Sequence, residues 1–294
     1  MTVYGRGYRP FTFEPTSPRA RLWAVAELEL RTLFRTRLGL MAFLICLGPS
    51  IANLGILLIF SGVWRVGASP ERLRSWPRTN PEAIDFYLQP IIGDVFAFVI
   101  FLVLTSLVSC RAIAKDRESN ALELYWTRGV GPRGYFFAKW LGSVLLLGSA
   151  FVVAPAVTWL LGVLMAPDWG TLERTIEFVP SVLLALTVFT AVISYLAVAF
   201  SAVAATANTA TVFWFFLLLG TAAATRVLSL VFVDEWWFKA LSPWDAAKRV
   251  AEWICGYVPR RDYNPAIAVL SLVVVVGVLT ALALRRLRRA EAVG

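Results

Sequence analysis

The sequence predicts an all-α polytopic membrane protein with six transmembrane helices and both termini in the cytoplasm. The first observation is composition: 59% of the 294 residues are hydrophobic and 16% are charged, whereas soluble domains are about 45–50% apolar and about 25% charged. The second is that six apolar runs each reach the ~20 residues that a helix needs to cross a bilayer. The third is the distribution of Lys and Arg, which favours one orientation of these runs.

The six predicted spans cover approximately residues 38–63, 91–110, 136–164, 179–200, 207–225 and 265–284. With the N-terminus inside, the cytoplasmic segments carry 17 of the 28 Lys and Arg residues and the outer segments carry 11. Because Lys and Arg concentrate in cytoplasmic loops, this count favours an N-in, C-in chain in the plasma or inner membrane. The longest outer segment, 226–264, is too short for a soluble core, so residues 1–294 are predicted to form a single transmembrane domain.

The composition also disfavours several chemistries. Histidine is absent, which removes the commonest metal ligand and the usual general base near neutral pH. The three cysteines, Cys46, Cys110 and Cys255, are far apart and form no CxxC pair, so they predict no disulfide framework. No pairing of nucleophile and base and no P-loop motif occurs in the sequence. We therefore expect no catalytic residue, metal or cofactor in this chain and no nucleic-acid partner.

A helix is predicted over residues 17–37, before the first span. Ser17 is suited to cap it, Pro18 to begin it, and Glu27 stands four residues before Arg31, at ion-pair spacing. The uneven apolar face of this segment predicts a helix lying on the cytoplasmic membrane surface. The alternative is a solvated, charged lead-in to the first span.

The charged cytoplasmic segment 111–139 is predicted to contain a short helix between the second and third spans. Asn120 and Glu123 resemble a capping box, and the following ALELYW predicts about two amphipathic turns. Gly129 suits the left-handed residue that ends a helix. Gly131 and Pro132 suit the cap and the first position of the next helix.

The glycines Gly129, Gly131 and Gly134 also spell G-x-G-x-x-G, the pattern of a dinucleotide-binding loop. That loop must follow a strand and open a helix within a βαβ unit, whereas here it follows a short polar helix and enters a membrane span. Pro132 also lacks an N–H that a phosphate would use. The pattern therefore predicts a helix stop, a turn and a helix start rather than a nucleotide site.

The outer segment 226–264 precedes the last span and is rich in tryptophan, which prefers the membrane–water interface. Its tryptophans are Trp236, Trp237, Trp244 and Trp253. Ser242 and Pro243 are suited to cap and begin a helix. The apolar positions that recur at intervals of three and four are Trp244, Ala247, Ala251 and Ile254. We expect two short helices that dip into the outer leaflet; the alternative is an irregular loop with an aromatic belt.

A few polar residues lie in or beside the spans. Asp94 and Arg226 fall near predicted outer ends, where long side chains reach the interface, so we expect structural roles for both. The milder polar residues are Asn53, Thr158, Thr190 and Asn208. They are candidates for lining a path through the membrane, and the alternative is that they form hydrogen bonds between helices.

The segment 112–142, AIAKDRESNALELYWTRGVGPRGYFFAKWLG, resembles the permease subunits of type-2 ABC exporters, the ABC-2 family. That family often shows an Asp-Arg stretch, a Leu-rich short helix, a basic turn, and a Lys-Leu/Trp-Gly sequence that opens the third span. The residues that fill this pattern are Asp116, Arg117, Leu122, Leu124, Arg128, Arg133, Lys139 and Gly142. One departure is the proline, which lies four residues after Arg128 rather than close to the helix.

The resemblance implies that residues 117–128 form a coupling helix seated on a separate ABC ATPase subunit, which binds ATP and Mg. The residues it implies for that contact are Arg117, Glu118, Leu122, Glu123, Leu124, Tyr125 and Arg128. It also implies a second permease chain in a homodimer or heterodimer, a bilayer environment, and for some relatives a periplasmic or extracellular partner.

Two other functions stand beside this hypothesis. One is a structural or accessory membrane subunit that works with no ATPase, in which residues 111–139 form a docking loop. The other is a secondary transporter, which the lack of mid-membrane ionisable groups and of a visible repeat disfavours. The substrate is not specified by the sequence, although the apolar spans and interfacial tryptophans are compatible with a lipid-like or amphipathic cargo.

Overall fold

A computed structural model describes residues 17–60, 88–93, 95–127, 129–165, 170–232, 237–256 and 263–293, which form helices and no strand. The α-helices are α1 (Pro18–Arg35), α2 (Arg37–Cys46), α3 (Gly48–Phe60), α4 (Gln89–Ile92), α5 (Val95–Leu107), α6 (Ala112–Glu118), α7 (Ala121–Thr127), α8 (Pro132–Gly148), α9 (Ala154–Met165), α10 (Gly170–Ile176), α11 (Val179–Val203), α12 (Ala207–Phe215), α13 (Thr221–Val231), α14 (Pro243–Ile254) and α15 (Pro265–Val293). Asp94, Arg128 and Trp236, which the sequence singled out, lie outside the described residues.

Five helical stretches in the described residues are long and apolar enough to cross a membrane. They are Val95–Glu118, Pro132–Leu164, Val179–Val203, Ala207–Val231 and Pro265–Ala290. Each overlaps one of the predicted second to sixth spans. The predicted first span begins as two shorter helices, α2 and α3, and its last residues, 61–63, lie outside the described part. Six spans therefore remain a prediction.

Two of the spans contain a π-helical turn that joins consecutive α-helices. In the third span, Ser149–Val153 is π-helical and lies just before Pro155, which cannot donate a backbone hydrogen bond and crowds the preceding turn. In the fifth span, the π-helical turn is Phe216–Gly220. There the Thr221 hydroxyl donates to the carbonyl of Leu217, a side-chain bond that competes with the helical ladder.

Hydrogen bonds from polar side chains connect the spans across the bundle. Trp214 Nε1 donates to Thr105 Oγ1 at 2.9 Å and joins the fifth span to the second. Trp140 Nε1 donates to the carbonyl of Ala191 at 3.0 Å and joins the third to the fourth. Tyr195 and Thr280 hydroxyls lie 2.7 Å apart between the fourth and sixth. Each bond satisfies a polar group that lipid could not satisfy.

The short helices before the last span pack against the bundle, and their predicted position in the outer leaflet stays a prediction. A 3₁₀ helix, Trp237–Leu241, leads into α14, and Ser242 Oγ accepts from the Asp245 backbone N–H at 3.3 Å. One face of α14 is buried against α11 and α15. On that face the Trp244 ring lies 4.7 Å from Phe98 and 4.8 Å from Phe189 between ring centroids, a geometry typical of aromatic packing.

The segment before the first span is a packed helix and not a solvated lead-in. Ser17 Oγ accepts from the Ala20 backbone N–H at 3.2 Å, and Val25 and Ala26 are buried. The face that contains them packs on the start of α8, where a Cβ added to Gly142 would lie 2.9 Å from the carbonyl oxygen of Ala26. The absence of a side chain at Gly142 therefore lets the two helices approach closely.

The predicted single helix over residues 117–128 is wrong in its extent. The second span continues to Glu118, and the chain breaks at Ser119 and Asn120 before α7. Asn120 has φ 54°, the left-handed conformation that Asn tolerates better than most residues. Asn120 thus has the conformation of a residue that terminates α6. The capping-box interpretation is therefore wrong, because it required Asn120 to be an extended N-cap of α7.

Candidate functional site

Three consecutive charged residues, Asp116, Arg117 and Glu118, bond to three different spans. They occupy the last turn of α6, at the end of the bundle where α7 lies. Asp116 bonds to the third span, Arg117 to the end of the fourth, and Glu118 to the start of the fifth. The carboxyl-terminal end of the second span is therefore attached to all the spans that follow it up to the fifth.

Asp116 belongs to an ionic cluster with Lys139 and Glu29. The Lys139 ammonium lies 2.7 Å from Asp116 Oδ2 and also donates to Glu29 Oε1. The Tyr135 hydroxyl donates to the same Asp116 oxygen at 2.6 Å. The Lys139 side chain is 2% exposed, so one buried cation faces two carboxylates that come from α6 and α1.

The ionic cluster depends on all of its charges. Moving an ion from water into a protein interior costs several kcal/mol, which the attraction between the partners must offset. Burial raises the pKa of Glu29, and the charge of Lys139 opposes that rise. Removing the cation therefore leaves two poorly solvated carboxylates without a counter-charge. Removing all three charges together also removes the desolvation cost that their attraction must offset.

Arg117 and Arg286 both donate to the carboxyl-terminal end of α11. The Arg117 guanidinium lies 2.7 Å from the carbonyl oxygen of Ala202 and 2.5 Å from that of Ala204. Arg286, from the last helix, donates to the carbonyl of Val203. The last carbonyls of a helix lack partners within it and carry partial negative charge, so cations are stabilising there. The end of the fourth span is thereby held by the second and sixth spans.

Glu118 and Ser201 satisfy the amino-terminal ends of two helices. Glu118 Oε1 accepts from the backbone N–H of Ala207 at 2.8 Å, at the start of α12. Ser201 Oγ accepts from the backbone N–H groups of Ile113 and Ala114, at 2.9 Å each, at the start of α6. Residues 204–206 connect α11 to α12. Since α11 supplies the acceptor for α6 and α6 supplies the acceptor for α12, the helices on both sides of this connection are bonded to α6.

The short helix α7 rests on this framework through its inner face. Leu122 is buried, and the rings of Tyr125 and Trp126 lie 5.0 Å and 5.5 Å from the ring of Tyr135 between centroids. Tyr135 is the residue that also bonds to Asp116. The outer face presents Glu123 and Leu124, and the Leu124 side chain is 52% exposed.

A glycine turn joins α7 to the third span. Gly129 has φ 70°, and its N–H donates to the carbonyl of Trp126 at 2.9 Å. Arg21 of α1 donates to the Gly129 carbonyl at 3.3 Å. Gly131 is the extended N-cap of α8, and Pro132 is its first residue. The geometry is that of a helix stop, a turn and a helix start, with helices on both sides of the G-x-G-x-x-G pattern.

The predicted partner-contact residues fall into two groups. Arg117, Glu118, Leu122 and Tyr125 contact this chain itself, as described above. Glu123 and Leu124 face outward, and Arg128 lies outside the described residues. Their role towards a partner stays a prediction for all seven.

The predicted path residues do not form one line. Thr158 Oγ1 donates to the carbonyl of Ala154 at 2.9 Å and lies 3.4 Å from that of Ser50, so it belongs to the contact between α3 and α9, where Asn53 is also buried. Thr190 is buried in α11. Asn208 is exposed at the start of α12 and accepts from Arg111 at 3.5 Å. A role in lining a path stays a prediction for these residues.

Sequence reasoning missed Glu29 and Tyr135 and placed Lys139 only at the edge of a span. Two signals were available. Glu29 stands four residues after the buried Val25, on the same helical face, and Lys139 interrupts the apolar run YFFAKWLG. A charge inside a membrane span is a functional hypothesis by default. In the described part of the chain, no group of three or more Cys, Asp and Glu side chains could hold a metal ion.

Comparison with known proteins gives one family match. A family model described as "ABC-2 family transporter protein" matches residues 73–284. The matched region contains the charged residues 116–118, Lys139 and the glycine turn, and it begins after α1, which supplies Glu29. No curated protein matches the chain.

Replacing Lys139 by Met should destabilise the protein by about 3–5 kcal/mol, because Glu29 and Asp116, whose side chains are 13% and 18% exposed, then lose the cation that offsets their desolvation. The measurement is the free energy of unfolding or the thermal midpoint in detergent. Lys115→Met is the matched control: Lys115 directly precedes Asp116 and is exposed, and its loss should cost about 0.5 kcal/mol or less. The neutral triple variant Glu29→Gln, Asp116→Asn, Lys139→Met should be more stable than Lys139→Met alone.

The loss of unfolding free energy in Lys139→Met should also depend on pH. Burial and the Asp116 charge both raise the pKa of Glu29, and without Lys139 only the more distant Lys115 opposes them. A carboxyl whose pKa is higher in the folded state stabilises that state when protonated, and this stability is lost as pH rises through the folded-state pKa. The defect should therefore shrink as pH falls from about 8 towards 5. A defect of equal size across that range would contradict the burial of an unpaired Glu29.

Gly129→Ala should cost about 1–2 kcal/mol, since a side chain disfavours positive φ, and the new Cβ would lie 2.7 Å from Arg21 Nη1. Gly131→Ala is the control, because Gly131 has φ −68° and no atom lies within 4 Å of the Cβ position; it should cost about 0.5 kcal/mol or less. Thermal unfolding in detergent compares the two. Equal midpoints for the two variants would show that the left-handed turn is not required.

Proposed function

The chain belongs to the ABC-2 family of transporter membrane proteins, and on that premise we propose that it is the permease subunit of an ATP-driven exporter. ATP and Mg are bound by a separate ATPase subunit, and α7 is the coupling helix that contacts it. The observation that carries the proposal is the arrangement of α7, which has an inner face seated on Tyr135 and an outer face that presents Glu123 and Leu124.

A coupling element must be held firmly, because a loose helix would absorb the motion of its partner instead of passing it on. The contacts of α7 meet this requirement at both of its ends. Its amino-terminal end follows Asp116–Glu118, which bond to three spans, and its carboxyl-terminal end continues through the glycine turn into α8. Closure of the ATPase would therefore tilt these spans together as a rigid body.

The exposed face of α7 defines the chemistry of the partner's groove. Leu124 supplies an apolar knob and Glu123 an anionic rim residue, so the groove should be apolar at its centre and basic at its edge. Asn120 and Thr127, also exposed, extend the polar rim. Under this proposal the end of the bundle that carries α7 is cytoplasmic, which agrees with the excess of Lys and Arg in the segments assigned to that side.

A second permease chain is part of the proposal. The helical stretch Ala207–Val231 buries 17% of its apolar window inside the chain, whereas Val95–Glu118 and Val179–Val203 bury 61% each. Its exposed apolar residues include Val212, Phe213, Phe216, Val227 and Leu230. Lipid or a second permease would cover them, and native mass spectrometry of the purified complex counts the permease chains directly.

Leu124→Asp should abolish co-purification of the ATPase or weaken its association about tenfold or more, because it places a charge at the centre of the contact. The measurement is pull-down of the natively expressed complex, with the co-purifying chain checked for a P-loop by mass spectrometry. Leu241→Asp is the matched control: Leu241 is 58% exposed at the opposite end of the bundle, and its change should leave association intact.

The outcome also separates the permease from an accessory subunit that works without an ATPase. If the wild-type chain co-purifies with its membrane partners and none of them contains a P-loop, the accessory function is correct. If an ATPase co-purifies equally well with wild type and Leu124→Asp, the chain is a permease but α7 is not its contact.

A further inference from the structure

A cavity of about 610 Å³ lies at the end of the bundle opposite α7. It is bounded by the beginning of the second span, the end of the fifth span and the helices at 237–256. Its volume is within the range of about 300–1,000 Å³ that small-molecule sites occupy. The cavity and α7 are at opposite ends of the helical stretch Val95–Glu118, which is 24 residues long, or roughly 36 Å at the rise of an α-helix.

Cationic side chains contribute to the lining of the cavity. Arg226, Lys239 and Lys248 line it together with one acid, Asp245. Asp245 Oδ2 already accepts from the Thr225 hydroxyl at 3.3 Å, and burial raises the pKa of Asp245. Lys248 lies 3.8 Å from Glu252, and that same carboxylate lies 3.7 Å from Arg249. The described lining thus carries three cationic side chains and one carboxyl group.

The cavity also has an apolar lining. Phe98 and Val99 of α5 line it together with Leu219 and Ala222 of the fifth span. Val99 and Leu219 are 46% and 43% exposed, so this apolar wall continues onto the outer surface of two membrane-crossing helices. The Trp244 ring, packed against Phe98 at 4.7 Å between centroids, also lines the cavity.

We propose that this cavity binds an anionic amphiphile, with a phosphate-bearing headgroup against Arg226, Lys239 and Lys248 and its chain against Phe98, Val99 and Leu219. Cations at such a place attract anionic headgroups by about 1 kcal/mol each, and each buried methylene adds about 0.8 kcal/mol. A site with both features prefers a molecule that is anionic at one end and apolar at the other, over either a free anion or a neutral lipid.

The binding is tested on the isolated chain in detergent, so its failure would leave the coupling proposal untouched. The probes are phosphatidylglycerol, phosphatidylcholine with the same acyl chains, and glycerol phosphate, each titrated by native mass spectrometry. We expect phosphatidylglycerol to bind about tenfold more tightly than phosphatidylcholine. Asp94, Asp234 and Glu235 lie beside the cavity in sequence but outside the described residues; if they balance its charge, the two lipids will bind equally and the proposal is wrong.

Two variants separate the two halves of the site. Arg226→Gln with Lys239→Gln should lower the affinity for phosphatidylglycerol about tenfold or more, whereas Arg285→Gln with Arg289→Gln, at the other end of the bundle, removes the same charge and should not. Ala222→Trp fills the apolar side without changing charge and should lower lipid binding to a similar degree.

Three outcomes would overturn the proposal. The first is unchanged phosphatidylglycerol binding in Ala222→Trp, a variant that stays informative if the charge variant fails to fold. The second is an equal loss in the Arg285 and Arg289 control, which would place the lipid at the other end. The third is glycerol phosphate binding as tightly as phosphatidylglycerol, which would make the cavity a plain anion site.

Discussion

The structure depends on one buried ammonium group, that of Lys139, which faces the carboxylates of Glu29 and Asp116. These three side chains come from α8, α1 and α6, so the ionic cluster joins the amino-terminal helix and the second and third spans at a single point. Neither carboxylate tolerates burial without the cation. The next two residues, Arg117 and Glu118, extend the same connection to the fourth and fifth spans. Residues 116–118 thereby connect the second, third, fourth and fifth spans and α1 to one another.

Local chemistry was enough to predict several of the helix ends in this protein, although not the break at Ser119 and Asn120. Ser17, Ser242 and the pair Gly131-Pro132 begin helices where capping rules place them, and the positive φ of Gly129 follows from glycine's lack of a Cβ. What local chemistry could not predict was tertiary pairing. The charges at 111–118 look like a solvated loop because partners on α8, α11 and α12 are remote in sequence, yet those partners let the second span continue helically to Glu118. The packing of α14 against α11 and α15 could not be predicted either, because these helices are also tertiary partners that local sequence patterns do not identify.

The two proposed contacts of the protein adjoin opposite ends of the helical stretch Val95–Glu118. The cavity at one end is lined by Phe98 and Val99, and the charged residues 116–118 form the other end. The stretch joins them through α5, the turn residues 108–111 and α6, so a tilt of the stretch displaces both ends. If an amphiphile and an ATPase favour different tilts, each alters the affinity of the other by the same factor.

Pulsed electron paramagnetic resonance tests the central claim, that α7 and α1, which both pack on the third span, move as one body. Spin labels replace the exposed residues Glu123 on α7 and Trp23 on α1, with the native cysteines substituted. In the complex with its ATPase, the account predicts one narrow distance distribution that is unchanged by a non-hydrolysable ATP analogue, and a broadened one in Lys139→Met. A nucleotide-dependent change in the wild-type distance would contradict the account, because α7 would then move independently of the helices to which it is bonded.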